Sequence, residues 1–250
     1  DANGFFVPAR TTAVFKRAVQ RSCAPYPRDM FVRGSFNNWG NPTPTEEYKL
    51  VFLGGKDYAL SAPIGTAEAH QFKIADAGWS PDTNCGVTAD GVSISLGLPM
   101  TLTCADGTKN IGFNAAVAGN YTFSLNATST VNPVLTLTRS PPTAATVFIR
   151  GLFGDWGTTL PMAWDGEAFY TANIAATTTG ATQFKIATGD WASLNCGGAP
   201  STSPTVTIGE PFALTCGDGT TNLGINFTTA GDYVFSVNAT NQSAPTLTVE

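Results

Sequence analysis

A ten-residue stretch ending in Trp-Gly occurs twice, as Phe31-Val-Arg-Gly-Ser-Phe-Asn-Asn-Trp-Gly40 and as Phe148-Ile-Arg-Gly-Leu-Phe-Gly-Asp-Trp-Gly157. In each copy a short β-run closes at a glycine and leaves a tryptophan, Trp39 or Trp156, on a polar loop. There a flat apolar ring meets water or a ligand. A second block, Gln71-Phe-Lys-Ile-Ala75, recurs unchanged as Gln183-Phe-Lys-Ile-Ala187. Alternation along a strand points Phe72 and Ile74 inward and therefore turns Lys73 outward. Exposed rings and amines suit binding rather than bond-breaking. The catalytic inventory is short: one histidine, His70, has no match in the second copy, and no Ser-His-Asp set, phosphate loop or metal cluster is present. The chain is expected to be non-catalytic, with no cofactor and no metal.

The five cysteines are Cys23, Cys85, Cys104, Cys196 and Cys216, and the last four occupy equivalent places in the two halves. Two disulfides are predicted, Cys85–Cys104 and Cys196–Cys216, together with an oxidising, extracellular compartment. A zinc reading is weaker, because the pairs lack a Cys-x-x-Cys spacing or a histidine partner. Cys23 is left over, either free or bonded to another chain. The Asp-Gly-Thr segments at 106–108 and 218–220 read as turns, since no dense run of carboxylates suggests calcium. Asn120, Asn126, Asn226, Asn238 and Asn241 head Asn-x-Thr/Ser sites, which matter only in a host that glycosylates them.

Sparse charge (12%) with abundant Gly, Thr, Ser and Asn is the profile of a turn-rich all-β chain. A net charge of −5 argues against a nucleic-acid partner, which needs clustered Lys and Arg. No apolar run reaches membrane-spanning length, and no signal peptide is present, so a mature form or excised fragment is expected. Charge is unevenly spread. Residues 1–28 carry Arg10, Lys16, Arg17, Arg21 and Arg28 against Asp1 alone, whereas from Val147 onward only Arg150 and Lys185 face eight acids.

The elements that must position these residues are strands. In Tyr121-Thr-Phe-Ser-Leu125, Tyr121, Phe123 and Leu125 share one face, and Val134–Thr138 and Thr246–Glu250 read as closing strands. Asp165-Gly166, Gly54-Gly55 and Asp106-Gly107 mark turns. Leu102-Thr-Cys-Ala-Asp-Gly-Thr-Lys-Asn110 matches Leu214-Thr-Cys-Gly-Asp-Gly-Thr-Thr-Asn222. Repeats this long are domains rather than solenoid units. Roughly seven short strands per repeat suggest two immunoglobulin-like β-sandwiches in tandem. The divisions read as an arm over 1–28, a first module over 29–140 and a second over 145–250. Pro141 and Pro142 stiffen the linker. Trp164 aligns with Phe52 and reads as core.

Gly34-Ser-Phe-Asn-Asn-Trp39 followed by Gln71-Phe-Lys-Ile74 and Trp79 resembles the early-set immunoglobulin-like modules that bind starch and glycogen. Such modules occur beside pullulanases, branching enzymes and amylases, and in the β subunit of the AMP-activated kinase. In that family two Trp rings stack on glucose units while a Lys and an Asn bond sugar hydroxyls. The resemblance implies that Trp39, Lys73, Trp79 and Asn110 form one such site and Trp156, Lys185, Trp191 and Asn222 another. It covers nearly all of both repeats and none of residues 1–28. One departure is the segment between the second Trp and the Asn, expanded here into a cysteine-closed loop that could reshape the groove or cover it. Another is Asp106 or Asp218 beside the Asn, near where the kinase module has an apolar residue.

The leading expectation is thus a secreted tandem α-glucan-binding unit. The alternative is an extracellular assembly protein whose basic, apolar arm (residues 1–28, carrying Cys23) adds a strand to an acidic module of a neighbour, by self-association, and builds a fibre.

Overall fold

The computed structural model describes residues 24–250. Cys23 and the proposed self-association of the arm's first 23 residues lie outside the described residues. What is described is nearly all β, built as two sandwiches of the expected kind, each with its own core and one disulfide.

In the first sandwich one sheet runs in the order Phe31–Gly34, Ala69–Ala75, Cys85–Gly86, Thr103–Cys104, with Ile111–Asn114 also on Ala69–Ala75. The other runs Val51–Gly54, Asp57–Ile64, Gly119–Asn126, Val134–Arg139, Pro99–Thr101. The two inner faces meet through rings: Phe72 packs edge-on against Phe123 at 5.3 Å, and Phe184 against Phe235 at 5.5 Å in the second sandwich. Truncating such a ring to alanine costs about 3–5 kcal/mol. In the second sandwich Pro161–Trp164 pairs with both Val147–Arg150 and Phe169–Ala176, so its two faces are hydrogen-bonded into one continuous sheet. At the matching place the first sandwich has only an isolated bridge between Phe31 and Lys49.

Cys85 and Cys104 are bonded across directly opposed strand positions, as are Cys196 and Cys216. They close sequence separations of 19 and 20 residues, worth roughly 3 kcal/mol each in the chain-entropy account.

One boundary differs from the sequence reading. Tyr26, assigned to the arm, belongs to the first core: its amide donates to Tyr58 Oη at 3.2 Å, and its hydroxyl donates to the Thr130 carbonyl at 3.2 Å. Arg28 pairs with Asp76 and Asp82. Pattern reading missed this because Pro25 and Pro27 look like a break, although an extended segment can still seat a single side chain. Trp164 does pack against the second core, but its indole Nε1 also donates to the Arg139 carbonyl at 2.8 Å, fixing the end of the first module's last strand. The Arg139 guanidinium in turn donates to the Glu167 and Ala239 carbonyls. The linker therefore begins from an anchored residue.

Because Tyr26 is buried among core residues, Tyr26→Ala should lower the stability of the first module by about 2–4 kcal/mol. In urea unfolding, a chain beginning at residue 29 should be less stable than one beginning at residue 24 by about the same amount as the alanine variant is destabilised.

Candidate functional site

Each sandwich carries a Trp pair at the end of the same two strands. Phe31–Gly34 lies antiparallel to Ala69–Ala75, with Arg33 directly opposite Lys73; in the second copy Arg150 is opposite Lys185. All four cations sit on the face turned away from the core rings. Like charges in register repel, and here the two side chains diverge.

Arg33 is 1% exposed. Its Nε donates to the Trp39 carbonyl at 2.8 Å, and one Nη donates to the Asp76 and Ala77 carbonyls at 2.9 and 3.0 Å. The guanidinium thus pins the loop that carries Trp39 to the loop that carries Trp79. It also lies under the Trp79 ring, 3.9 Å from its centre, within cation–π range. Burial lowers the pKa of Arg33, with Asp76 opposing. Arg150 repeats the arrangement, donating to the carbonyls of Trp156, Gly157, Thr188 and Gly189, with Trp191 stacked at 3.7 Å. The result is a pair of neighbouring rings in each module: Trp39 and Trp79 at 6.4 Å and 42°, Trp156 and Trp191 at 6.3 Å and 34°.

Trp39, Trp79 and Trp191 all adopt left-handed backbone, at φ 57°, 56° and 60°. A non-glycine residue there costs on the order of 1–2 kcal/mol, which the carbonyl–guanidinium bonds offset. Trp156 is held differently. Asp155 accepts from the Gly157 amide, and the indole lies over Gly151, where an added Cβ would meet the ring at 2.7 Å. Gly151 itself has φ 101°, so no other residue fits there without moving the ring.

The lysines correct the sequence reading. Lys73 and Lys185 do leave the core face, but they are only 6% and 8% exposed, not solvent-facing. Lys73 Nζ donates to the carbonyl and hydroxyl of Thr108, both at 2.7 Å, and Lys185 Nζ donates to the Thr220 carbonyl at 2.8 Å. The disulfide hairpin covers them. Gly86 and Gly197 leave room for the lysine stems, since a Cβ on either would come within about 3 Å of the lysine Cε. Burial lowers the pKa of both lysines. Alternation shows which face a side chain leaves from, not what is folded over that face.

Held by those lysines, the Gly-Thr-x-Asn segments present Asn110 and Asn222. Asn110 Nδ2 donates to Gln71 Oε1 at 3.0 Å, and Asn222 Nδ2 to Gln183 Oε1 at 3.2 Å. Both amide pairs line open grooves of nearly equal volume, 590 Å³ in the first module and 580 Å³ in the second. Gln71, Asn110, Gly112 and Asn114 in one correspond to Gln183, Asn222, Gly224 and Asn226 in the other. The cysteine-closed excursion forms a wall, through Gly91–Ile94 in the first groove and through Ser203 and Thr205 in the second, and leaves both grooves uncovered. Trp39 lines the first groove. Trp156, 38% exposed, is not among the residues lining the second. His70 lines the first groove too, held by Ser35 Oγ at 3.2 Å and the Thr66 carbonyl at 3.1 Å.

Sequence reasoning singled out the rings and Asn110 and Asn222 but not Gln71, Gln183, Arg33 or Arg150. A signal for the arginines existed. Arg150 and Lys185 are the only basic residues of the second repeat, and both have counterparts in the first. Among the described residues no three His, Cys, Asp or Glu side chains gather as a metal site, and no helix is long and apolar enough to cross a membrane.

Asp76 and Asp190 order the loops of Trp79 and Trp191. Burial alone would raise the Asp76 pKa, but donors from Ser80 and the charge of Arg28 outweigh it and leave it lowered. Asp190 is held well below the usual range by hydrogen bonds from Thr188, Ser193 and Ala192. A depressed folded-state pKa means the stabilisation is fully present above the ordinary carboxylate pKa, about 4, and is lost as pH falls through the lower folded value. Tryptophan emission should therefore be constant from pH 7 to 5 and change only below about pH 4; a transition between pH 5 and 7 would contradict this assignment. Replacing Arg150 by Met should cost about 3 kcal/mol in urea unfolding and alter Trp191 emission, because four backbone carbonyls lose their donor.

No family model matches the sequence, and a search of curated proteins finds no match. Similar solved structures include two of low identity. One, the ligand-induced structure of AmyP-SBD, is 18% identical with a TM-score of 0.37, covering 56% of this chain and 99% of its own. The other, SusF from Bacteroides thetaiotaomicron, is 18% identical with a TM-score of 0.38, covering 91% of this chain and 49% of its own. Overlap this partial carries no argument about ligands.

Proposed function

We propose that the chain is a non-catalytic carbohydrate-binding unit that holds α-glucan chains at two equivalent surfaces. The observation that carries this reading is the repeated groove: two open troughs of matching volume, each floored by a Gln–Asn amide pair, in modules that each carry a buttressed Trp pair. Sugar rings have apolar C–H faces that stack on indoles and hydroxyls that need directional donors and acceptors. A primary amide offers both a donor and an acceptor, so a Gln–Asn pair can bond a hydroxyl in either sense. Lys73 and Lys185 act by positioning Asn110 and Asn222, not as free ammonium ligands. An open trough rather than a deep cleft suits a polymer that continues past the site at both ends.

Two modules joined by a short linker raise avidity through effective concentration. Disulfides in both modules favour an oxidising, extracellular setting.

Native electrophoresis in gels containing amylopectin should retard the protein, and unchanged mobility would sink the proposal. Losing one stacking ring should weaken binding by on the order of tenfold per module, about 1.4 kcal/mol. Trp39→Ala combined with Trp156→Ala should then release most of the retention, and Gln71→Ala with Gln183→Ala a smaller part.

A further inference from the structure

The two sandwiches differ at one interior place. In the first, the ring of Tyr26 sits 5.9 Å from Tyr58, its amide hydrogen-bonds Tyr58 Oη, and its own hydroxyl reaches the Thr130 carbonyl and lies 3.7 Å from Cys104 Sγ. Aligning the repeats on Phe31 and Phe148 puts Thr143 where Tyr26 stands. Tyr170 takes the place of Tyr58, Gln242 that of Thr130 and Cys216 that of Cys104. Strand pairing supports the equivalence: Tyr58 faces Phe52 and Leu125, and Tyr170 faces Trp164 and Val237.

Threonine cannot fill the space of a phenol ring. Beside Tyr170 the second module holds a cavity of about 220 Å³, lined by Pro142, which precedes Thr143, and by Tyr170, Leu194, Cys196, Val237 and Gln242 among others. Tyr170 is 4% exposed, and its hydroxyl has no hydrogen-bond partner. The Thr143 amide approaches that hydroxyl and opposes the rise in its pKa that burial causes, without reaching hydrogen-bonding geometry. The space beside Tyr170 is mostly apolar, as a site for an aromatic ring requires.

We infer that this cavity is a binding site for a small monocyclic phenol, which takes the position that Tyr26 occupies in the first module. The ring fills the space between Tyr170, Leu194 and Val237, and the hydroxyl faces the Gln242 segment as Tyr26 Oη faces Thr130. The site shares no lining residue with the second module's groove, so it is separate from the carbohydrate reading.

The probe is 4-methylphenol, the tyrosine side chain cut at Cβ. Titrated into the 15N-labelled full chain, it should bind saturably at one site with a dissociation constant on the order of 1 mM. It should shift the amides of Tyr170, Leu194 and Gln242 while leaving Tyr58, Thr83 and Thr130 unmoved, because the first module is already filled. Tyr26→Ala should open the equivalent space and raise the stoichiometry to two. Thr143→Tyr should abolish binding and raise the melting temperature. Absence of saturable shifts in the second module would overturn the assignment, as would equal shifts in both wild-type modules or binding that survives Thr143→Tyr. If Thr143→Tyr does not fold, the comparison of modules within the wild type decides. Retention by amylopectin should be unchanged at saturating 4-methylphenol.

Discussion

Two cations lie opposite one another on the outer face of the same pair of strands, and each is hydrogen-bonded to backbone carbonyls rather than to a carboxylate. This arrangement is unfavourable unless each side chain finds enough carbonyl oxygens, and the loops of both modules are shaped to supply them. Arg33 and Arg150 gather the carbonyls of the two Trp loops, while Lys73 and Lys185 gather the segment that bears the asparagine. The Trp loops and the asparagine-bearing segments are thereby fixed from below by two opposed strand residues. Desolvated charges cost several kcal/mol each when unpaired, so the loops cannot drift apart without exposing that penalty. The strain in three left-handed tryptophans is sustained by the same bonds.

This explains which parts of the architecture were legible in the sequence. The repeat, the disulfide partners and the strand faces of Phe72 and Ile74 depend on local spacing, and spacing is visible in a linear string. Trp39 and Trp79 lie forty positions apart in the numbering, yet their association was readable because the same pair of blocks occurs twice. The burial of Lys73 was not readable. It depends on a hairpin folded over the strand and on a glycine, Gly86, whose missing side chain makes the space. The amide partnership of Gln71 with Asn110 was hidden for the same reason, since a strand residue and the residue just before a neighbouring strand meet only in the folded sheet. Tyr26 was misplaced because the residues around it look like linker, and one anchoring side chain leaves no periodicity.

The two modules show how much can vary over a fixed frame. The grooves agree in volume and in amide pair, and the ring separations agree to 0.1 Å between 6.4 and 6.3 Å. The means of holding the first ring do not agree. Trp39 is positioned by its own left-handed backbone, whereas Trp156 rests on Gly151 and a loop tied by Asp155. Ring geometry is therefore the more constrained quantity, and loop conformation has been free to diverge beneath it.

The interior placement of Arg150 and Lys185 has a consequence for what the second module shows to its surroundings. From Val147 onward these are the only basic side chains, and both are spent on backbone carbonyls inside the fold. The charged side chains that the module turns to solvent are eight carboxylates and no cation. A sulfated, phosphorylated or uronate-rich polymer approaching it meets repulsion with no compensating cation, while an uncharged polymer meets none. On the carbohydrate-binding proposal, the module would select against anionic polysaccharides by charge before any ring or amide is touched.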